Sequence, residues 1–166
     1  MSERTNLCSA ILLLLEQRGE SVATAESLTG GLLCGALVEI PGASKAIRGG
    51  IVAYAAEAKV SLLGVDGGLV AVRGTVDAEV ARQMAVGARR GLDATWGVST
   101  TGVAGPDPVD GKPAGTVFVA ISGPAGDRAE ALHLVGGRSD VRQATVDAGL
   151  SLLLATLEEQ SAGLSG

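Results

Sequence analysis

Segments with helical spacing alternate along most of this chain with short β-like runs, and glycine, proline or aspartate marks most of the changes. Thr5 to Arg18 puts Leu7, Ile11, Leu14 and Leu15 on one face, and Gly19 stops it. Ser21 to Ala25 is β-like. Leu28 to Glu39 reads as a second apolar helix, broken by Pro41-Gly42. Gly49 to Tyr54 carries β-branched Ile51 and Val52 and reads as a strand. Ala56 to Leu63 reads as a short helix ended by Gly64. Leu69 to Val76 predicts a short strand. Asp77 is positioned to cap a helix with Val80, Met84 and Ala88 on one stripe. Thr95 to Thr101 is strand-like, and Thr101 to Gly115 is a loop. Thr116 to Ser122 and Arg128 to Val135 are strands joined by a hairpin-type turn, Gly123 to Asp127, and so antiparallel. Asp140 to Gln160 closes the chain as a long helix. Such alternation predicts a layered α/β fold around a mixed sheet, with ligands bound in the loops where strands lead into helices.

Composition narrows the function. The chain has 166 residues, room for one domain, and 46% of them are hydrophobic, which excludes intrinsic disorder. Tyr54, Trp96 and Phe118 are its only aromatics, too few for a surface that stacks bases. A net charge of −5 makes it a poor general binder of nucleic acid or of an anionic membrane, yet leaves room for one local anion pocket. Cys8, Cys34 and the single histidine, His133, cannot build an ordinary structural zinc site, and no paired-carboxylate or metal-ligand spacing appears. No metal site is read from the sequence. Both cysteines read as reduced thiols of a cytoplasmic protein. The longest N-terminal apolar run, Ala10 to Leu15, is too short for a membrane span or a signal peptide.

Four segments can carry chemistry. In Ala23 to Gly31, Ser27, Thr29, Gly30 and Gly31 fall between a strand and a helix N-terminus, where free N–H groups favour negative charge. A serine there is either a nucleophile or only a helix cap. In Gly49 to Lys59, Tyr54 ends a strand and Lys59 falls near the start of a helix. A helix start and partial burial would both disfavour the lysine cation, and a neutral lysine can act as base for a serine; the alternative is an exposed lysine on a surface helix. In Thr100 to Val117 a strand runs into a loop holding Gly102, Gly105, Gly111 and Gly115, which either let backbone approach a ligand, with Thr101 supplying a hydroxyl, or form only a mobile surface loop. In Gly136 to Thr145, Arg138 and Arg142 lie four apart, suited to a phosphate or carboxylate or to an ion pair with Asp140.

Read together, AESLTGG, RGGIVAYAAEAKVSLLGV, TGVAGP, KPAGTVFVA and GGRSDVRQAT resemble, in order and spacing, the CinA C-terminal domain family, the nicotinamide-nucleotide amidases. The resemblance runs from about Thr5 to Leu157. It implies an α/β/α sandwich around a mixed, mostly parallel sheet, forming one domain over residues 1–166. It also implies hydrolysis of the carboxamide of nicotinamide mononucleotide to nicotinic acid mononucleotide and ammonia, a step of pyridine nucleotide recycling. Carried over, Ser27 is the nucleophile, Lys59 its base, and Tyr54 supports the proton path. Thr101 and the loop Gly102, Ala104 and Gly105 hold the amide or its oxyanion, and Arg142 holds the 5′-phosphate. Thr29, Gly30 and Ser44 line the pocket. No cofactor is implied. The implied partners are a small nucleotide substrate and a second copy of the chain in a homodimer. Some members carry an extra N-terminal domain resembling molybdopterin-binding proteins. The length leaves no space for it, so a stand-alone amidase is expected.

Ala46-Ile47 stands where members commonly carry aromatic residues, so an aromatic that packs on the pyridine ring would be missing. Two other readings stand beside the amidase of the mononucleotide. One is an amidase for a different amide. The other is a non-catalytic nucleotide-binding module.

Overall fold

The first helix begins where Ser2 accepts a hydrogen bond from the Thr5 N–H and ends at Gly19, whose left-handed backbone returns its N–H to the last turn. The structure, a computed structural model, describes residues 1–164. In chain order they form α1 (Glu3–Arg18), β1 (Val22–Glu26), α2 (Leu32–Val38), a 3₁₀ turn (Ala43–Lys45) and β2 (Ile47–Val52). There follow α3 (Ala56–Leu63), α4 (Gly67–Arg73), α5 (Ala78–Gly91), β3 (Trp96–Gly102), β4 (Thr116–Gly123), β5 (Gly126–His133) and α6 (Arg138–Leu164). Among the described residues no helix is long and apolar enough to cross a membrane.

The strands form one sheet in the order β2-β1-β3-β4-β5. β1 is parallel to both β2 and β3, and β4 is antiparallel to both its neighbours. Four of the five strands therefore run the same way. β1 is buried at every residue, as a parallel strand covered on both faces must be. On one face α1, α2 and α6 bury Ile11, Leu15, Leu33, Leu37, Leu150 and Leu153 against Val98, Val119 and Ile121. On the other, α3 and α5 bury Leu63, Val80, Met84 and Ala88 against Ala23 and Ala25. Each such aliphatic side chain is worth roughly 1.5–3 kcal/mol when fully buried. The result is the layered α/β/α arrangement around a mixed sheet. At the far edge β5 carries Asp127, Arg128 and Glu130 and is exposed along its length, with charges that discourage pairing with another chain.

Two elements differ from the sequence reading. Leu69 to Val76 is not a strand. Asp66 accepts from the N–H groups of Gly68 and Leu69 and nucleates α4, which ends at Gly74. The predicted helix from Leu28 begins only at Leu32, after a turn over residues 27–31 whose Gly30 and Gly31 have positive φ.

Helix α5 lies unusually close to its neighbours. A Cβ added at Gly97 would stand 2.0 Å from the Ala85 carbonyl oxygen, and one at Gly87 would stand 2.0 Å from the Leu63 carbonyl oxygen. Hydrogen at both positions lets α5 seat against β3 and lets α3 seat against α5. Gly87→Ala must push α3 away. We predict a loss of about 1–3 kcal/mol in a urea melt, the ordinary range for overpacking. An unchanged midpoint would contradict this packing.

Candidate active site

The site grows from the end of β1. The strand order reverses about β1, with β2 to one side and β3 to the other, and crevices at such reversals are where open α/β sheets bind ligands. The Ala53 N–H donates to the Glu26 carbonyl at 2.9 Å and the Ser27 N–H to the Thr100 carbonyl at 3.0 Å. Ser27 is thereby pinned between the ends of β2 and β3. It does not cap α2, whose N-cap is Gly31.

Lys59 is the fourth residue of α3 and stands one turn before Leu63 on its buried face. Only 1% of its surface is exposed. Its Nζ lies 2.9 Å from Ser27 Oγ, 2.8 Å from the Ala53 carbonyl oxygen and 3.1 Å from the Tyr54 carbonyl oxygen. Burial lowers its pKa from 10.5 to about 8. The two carbonyls can hold two N–H bonds in either protonation state, so in the neutral amine the lone pair is directed at the Ser27 hydroxyl.

Glu26, 1% exposed, accepts three donors. Thr29 Oγ1 donates to it at 2.6 Å, the Leu33 N–H at 2.8 Å and the Cys34 N–H at 3.1 Å. Thr100 Oγ1 lies 2.8 Å from Thr29 Oγ1, and since Thr29 donates to Glu26, Thr100 donates to Thr29. Two N–H groups in the first turn of α2, those of Leu33 and Cys34, are thus taken by Glu26.

Above Ser27 opens a cleft of about 400 Å³, within the range of small-molecule sites. Its walls are Ser27, Leu28 and Tyr54, the Thr75-Val76 segment, and the loop from Gly102 through Asp107. Gly102, Ala104 and Gly105 are among its lining residues. Thr101 is buried behind the wall, its hydroxyl donated to the Thr75 carbonyl at 2.8 Å. Tyr54 is 63% exposed at the rim and its hydroxyl oxygen accepts from Arg138 Nη2 at 3.2 Å, so this residue meets Lys59 through its carbonyl rather than its hydroxyl. Thr29 is fully buried.

Arg142 does not line the cleft. Its Nε donates to the Leu28 carbonyl at 2.8 Å and its Nη2 to the Thr29 carbonyl at 3.4 Å. That guanidinium passes beside Gly30, which is exposed on the turn. Arg138, one turn earlier, supplies the cation in the cleft wall, with Nη1 2.7 Å from the Gly105 carbonyl. Asp140 pairs with neither arginine and accepts from the Gly137 N–H at 2.9 Å. Ser44 lies in the 3₁₀ turn before β2. Parallel pairing puts that turn at the opposite end of the strands from Ser27, and Ala46 and Ile47 lie at the same far end.

The sequence reading overlooked Glu26, Thr100 and the Thr75-Val76 wall, and it weighed Arg138 only as the neighbour of Arg142. A glutamate that ends a strand just before a glycine-capped helix is a signal that could have found the first. Cys8 and Cys34 are free thiols, and burial pushes the Cys8 thiol up to about 11. Among the described residues no three His, Cys, Asp or Glu side chains gather as a set that could hold a metal ion.

The lysine's depressed pKa has a sign that can be checked. Between about 8 and 10.5 the unfolded chain binds the Lys59 proton and the folded chain has lost it. Stability must therefore rise with pH across that window, by up to about 3 kcal/mol. Urea melts should show this rise in the parent and lose it in Lys59→Met. A parent with no such rise would contradict the buried, depressed lysine.

Comparison with known proteins places these features in a family. The family model for the CinA C-terminal domain matches residues 4–157. A CinA-like protein of Frankia casuarinae is 49% identical over 148 residues, covering 89% of this chain and 34% of that protein. One of Gloeobacter violaceus is 43% identical over 155 residues, covering 92% of this chain and 36% of the relative. The chain thus spans about a third of the length of these curated relatives. Among solved structures, a competence/damage inducible protein from Agrobacterium tumefaciens is 36% identical, with a TM-score of 0.90 over 95% of this chain and 97% of that one. A competence-damaged protein (CinA) superfamily protein from Klebsiella pneumoniae is 27% identical, with a TM-score of 0.91 over 95% of this chain and 99% of its own. The fold, the order of the motifs and these likenesses agree: the chain belongs to the CinA C-terminal domain family.

Proposed function

We propose that the protein hydrolyses the carboxamide of nicotinamide mononucleotide, giving nicotinic acid mononucleotide and ammonia, by a Ser–Lys mechanism. The observation that carries the reading is the buried contact of 2.9 Å between Lys59 Nζ and Ser27 Oγ at the floor of a cleft. A nucleophile within hydrogen-bond reach of its base, with the base itself oriented, is the arrangement covalent hydrolysis needs.

In this mechanism neutral Lys59 takes the Ser27 proton as Oγ attacks the carboxamide carbon. Negative charge moves onto the carboxamide oxygen. We assign its stabilisation to the Leu28 N–H, which follows the nucleophile, and to N–H groups of the Gly102–Gly105 loop other than that of Val103, which donates to the Thr116 carbonyl. The Lys59 ammonium then returns the proton to the leaving nitrogen, the C–N bond breaks, and ammonia departs from an acyl-Ser27. Water attacks the ester carbon and gives a proton to Lys59, which passes it to Oγ as the acid leaves. The Tyr54 hydroxyl, whose oxygen already accepts from Arg138, keeps its own proton to donate to a bound substrate. Arg138 is the cation suited to the 5′-phosphate, as a charged fork exposed at the cleft wall. Ala46 and Ile47 lie at the far end of β2, so the missing aromatic gives no support to a different amide.

The test is ammonia release from nicotinamide mononucleotide, with chelator present. Ser27→Ala should lose at least about 10³-fold of the parent rate, as removal of a covalent nucleophile does. Equal release by both would remove Ser27 from its role, and release by neither would remove the substrate assignment. In the parent, kcat/KM should climb with pH to about 8 and level off above it, because only the uncharged amine accepts the serine proton. Arg138→Ala should raise KM for the mononucleotide roughly tenfold or more, the worth of a charge-assisted hydrogen bond. An unchanged KM would contradict the phosphate assignment.

A further inference from the structure

The turn over residues 27–31 is gripped from two sides. From below, Glu26 takes the turn's side-chain donor, Thr29 Oγ1, and the two α2 N–H groups that follow it. From α6, Arg142 takes the turn's acceptors, the carbonyls of Leu28 and Thr29. Thr100 adds a third anchor through Thr29, and its carbonyl holds the Ser27 N–H. A carboxylate on the donors and a guanidinium on the acceptors leave the turn little freedom, although Gly30 and Gly31 give it the most pliable backbone available.

We infer that Glu26 and Arg142 are positioning residues that clamp the Ser27 turn, so that Oγ stays on the Lys59 amine through the reaction. The inference rests on Ser27 being the nucleophile. It departs from the phosphate role expected of Arg142, because this guanidinium is spent on backbone carbonyls and stands outside the cleft lining. A misplacement of about 1 Å at a reacting centre can slow it by roughly 10²-fold.

The experiment compares Glu26→Gln, Arg142→Met, Thr29→Val and Thr29→Ser with the parent, each checked for a cooperative thermal melt. One readout needs no amide substrate: the rate at which a fluorophosphonate probe labels Ser27, followed by mass spectrometry. The other is steady-state release of ammonia from nicotinamide mononucleotide and from its dephosphorylated nucleoside. The clamp predicts labelling and kcat about 10- to 100-fold slower in Glu26→Gln and Arg142→Met. The fall in kcat should be the same on both substrates, with KM within about threefold of the parent. Thr29→Val should slow both readouts and Thr29→Ser should recover most of the loss, which keeps the test intact if Glu26→Gln does not fold. The clamp is overturned if these variants label and turn over like the parent. It is also overturned if Arg142→Met raises KM for the phosphorylated substrate alone. If the parent releases no ammonia yet labels at Ser27, and the variants label more slowly, the amidase reading fails and the clamp stands. A parent that neither labels nor turns over overturns both.

Discussion

A buried lysine ammonium has three protons to place and no water to take them. Here two can go to the carbonyls of Ala53 and Tyr54, just past the end of β2, and the third position is Ser27 Oγ. Everything else in the site depends on that contact. Burial makes the cation costly and brings the pKa of Lys59 down to about 8. The same burial lets the neutral amine exist near physiological pH, where roughly a tenth of it would be uncharged at pH 7. The lysine's bonds to two backbone carbonyls keep it from turning away when the proton is lost.

The scaffold is arranged to keep that lysine in place. Gly97 and Gly87 remove the side chains that would hold α5 off the sheet and α3 off α5, so the helix carrying Lys59 can lie beneath the end of β1. Reversal of strand order around β1 leaves its C-terminal end flanked by two parallel neighbours, β2 and β3, and Ala53 just past β2 and Thr100 of β3 each supply one hydrogen bond to the Glu26–Ser27 step. The cleft above is then walled by connections that the sheet needs anyway: the Thr75-Val76 segment, the loop after β3, and the start of α6.

Much of this is legible in the sequence, for local reasons. The helix from Ala56 to Leu63, the Asp77 cap and the β4–β5 hairpin follow from spacing, capping and turn chemistry alone, and the structure agrees with each. Ser27 and Lys59 stand out singly as candidates, but their contact spans 32 positions and is created only by packing. The β-branched run near Val70 and Val72 reads as a strand, yet the Asp66 cap and the docking of Leu69 and Val70 against the second core make it a helix. The start of α2 is misread because its cap comes from Glu26, six positions before Leu32, where no local rule looks. Arg138 and Arg142 share a helix face at one turn's spacing, but that separation takes Arg138 to the Gly105 carbonyl and Arg142 to the Leu28 carbonyl of the Ser27 turn.

The claim on which the mechanism turns is the protonation state of one side chain, and it can be observed directly. Lysine labelled with ¹³C at Cε reports its own titration by nuclear magnetic resonance, with Lys59→Met identifying the signal. The account predicts a Lys59 midpoint near 8. A midpoint at the ordinary lysine value, near 10.5, would mean that the amine stays charged against Ser27 and cannot serve as its base.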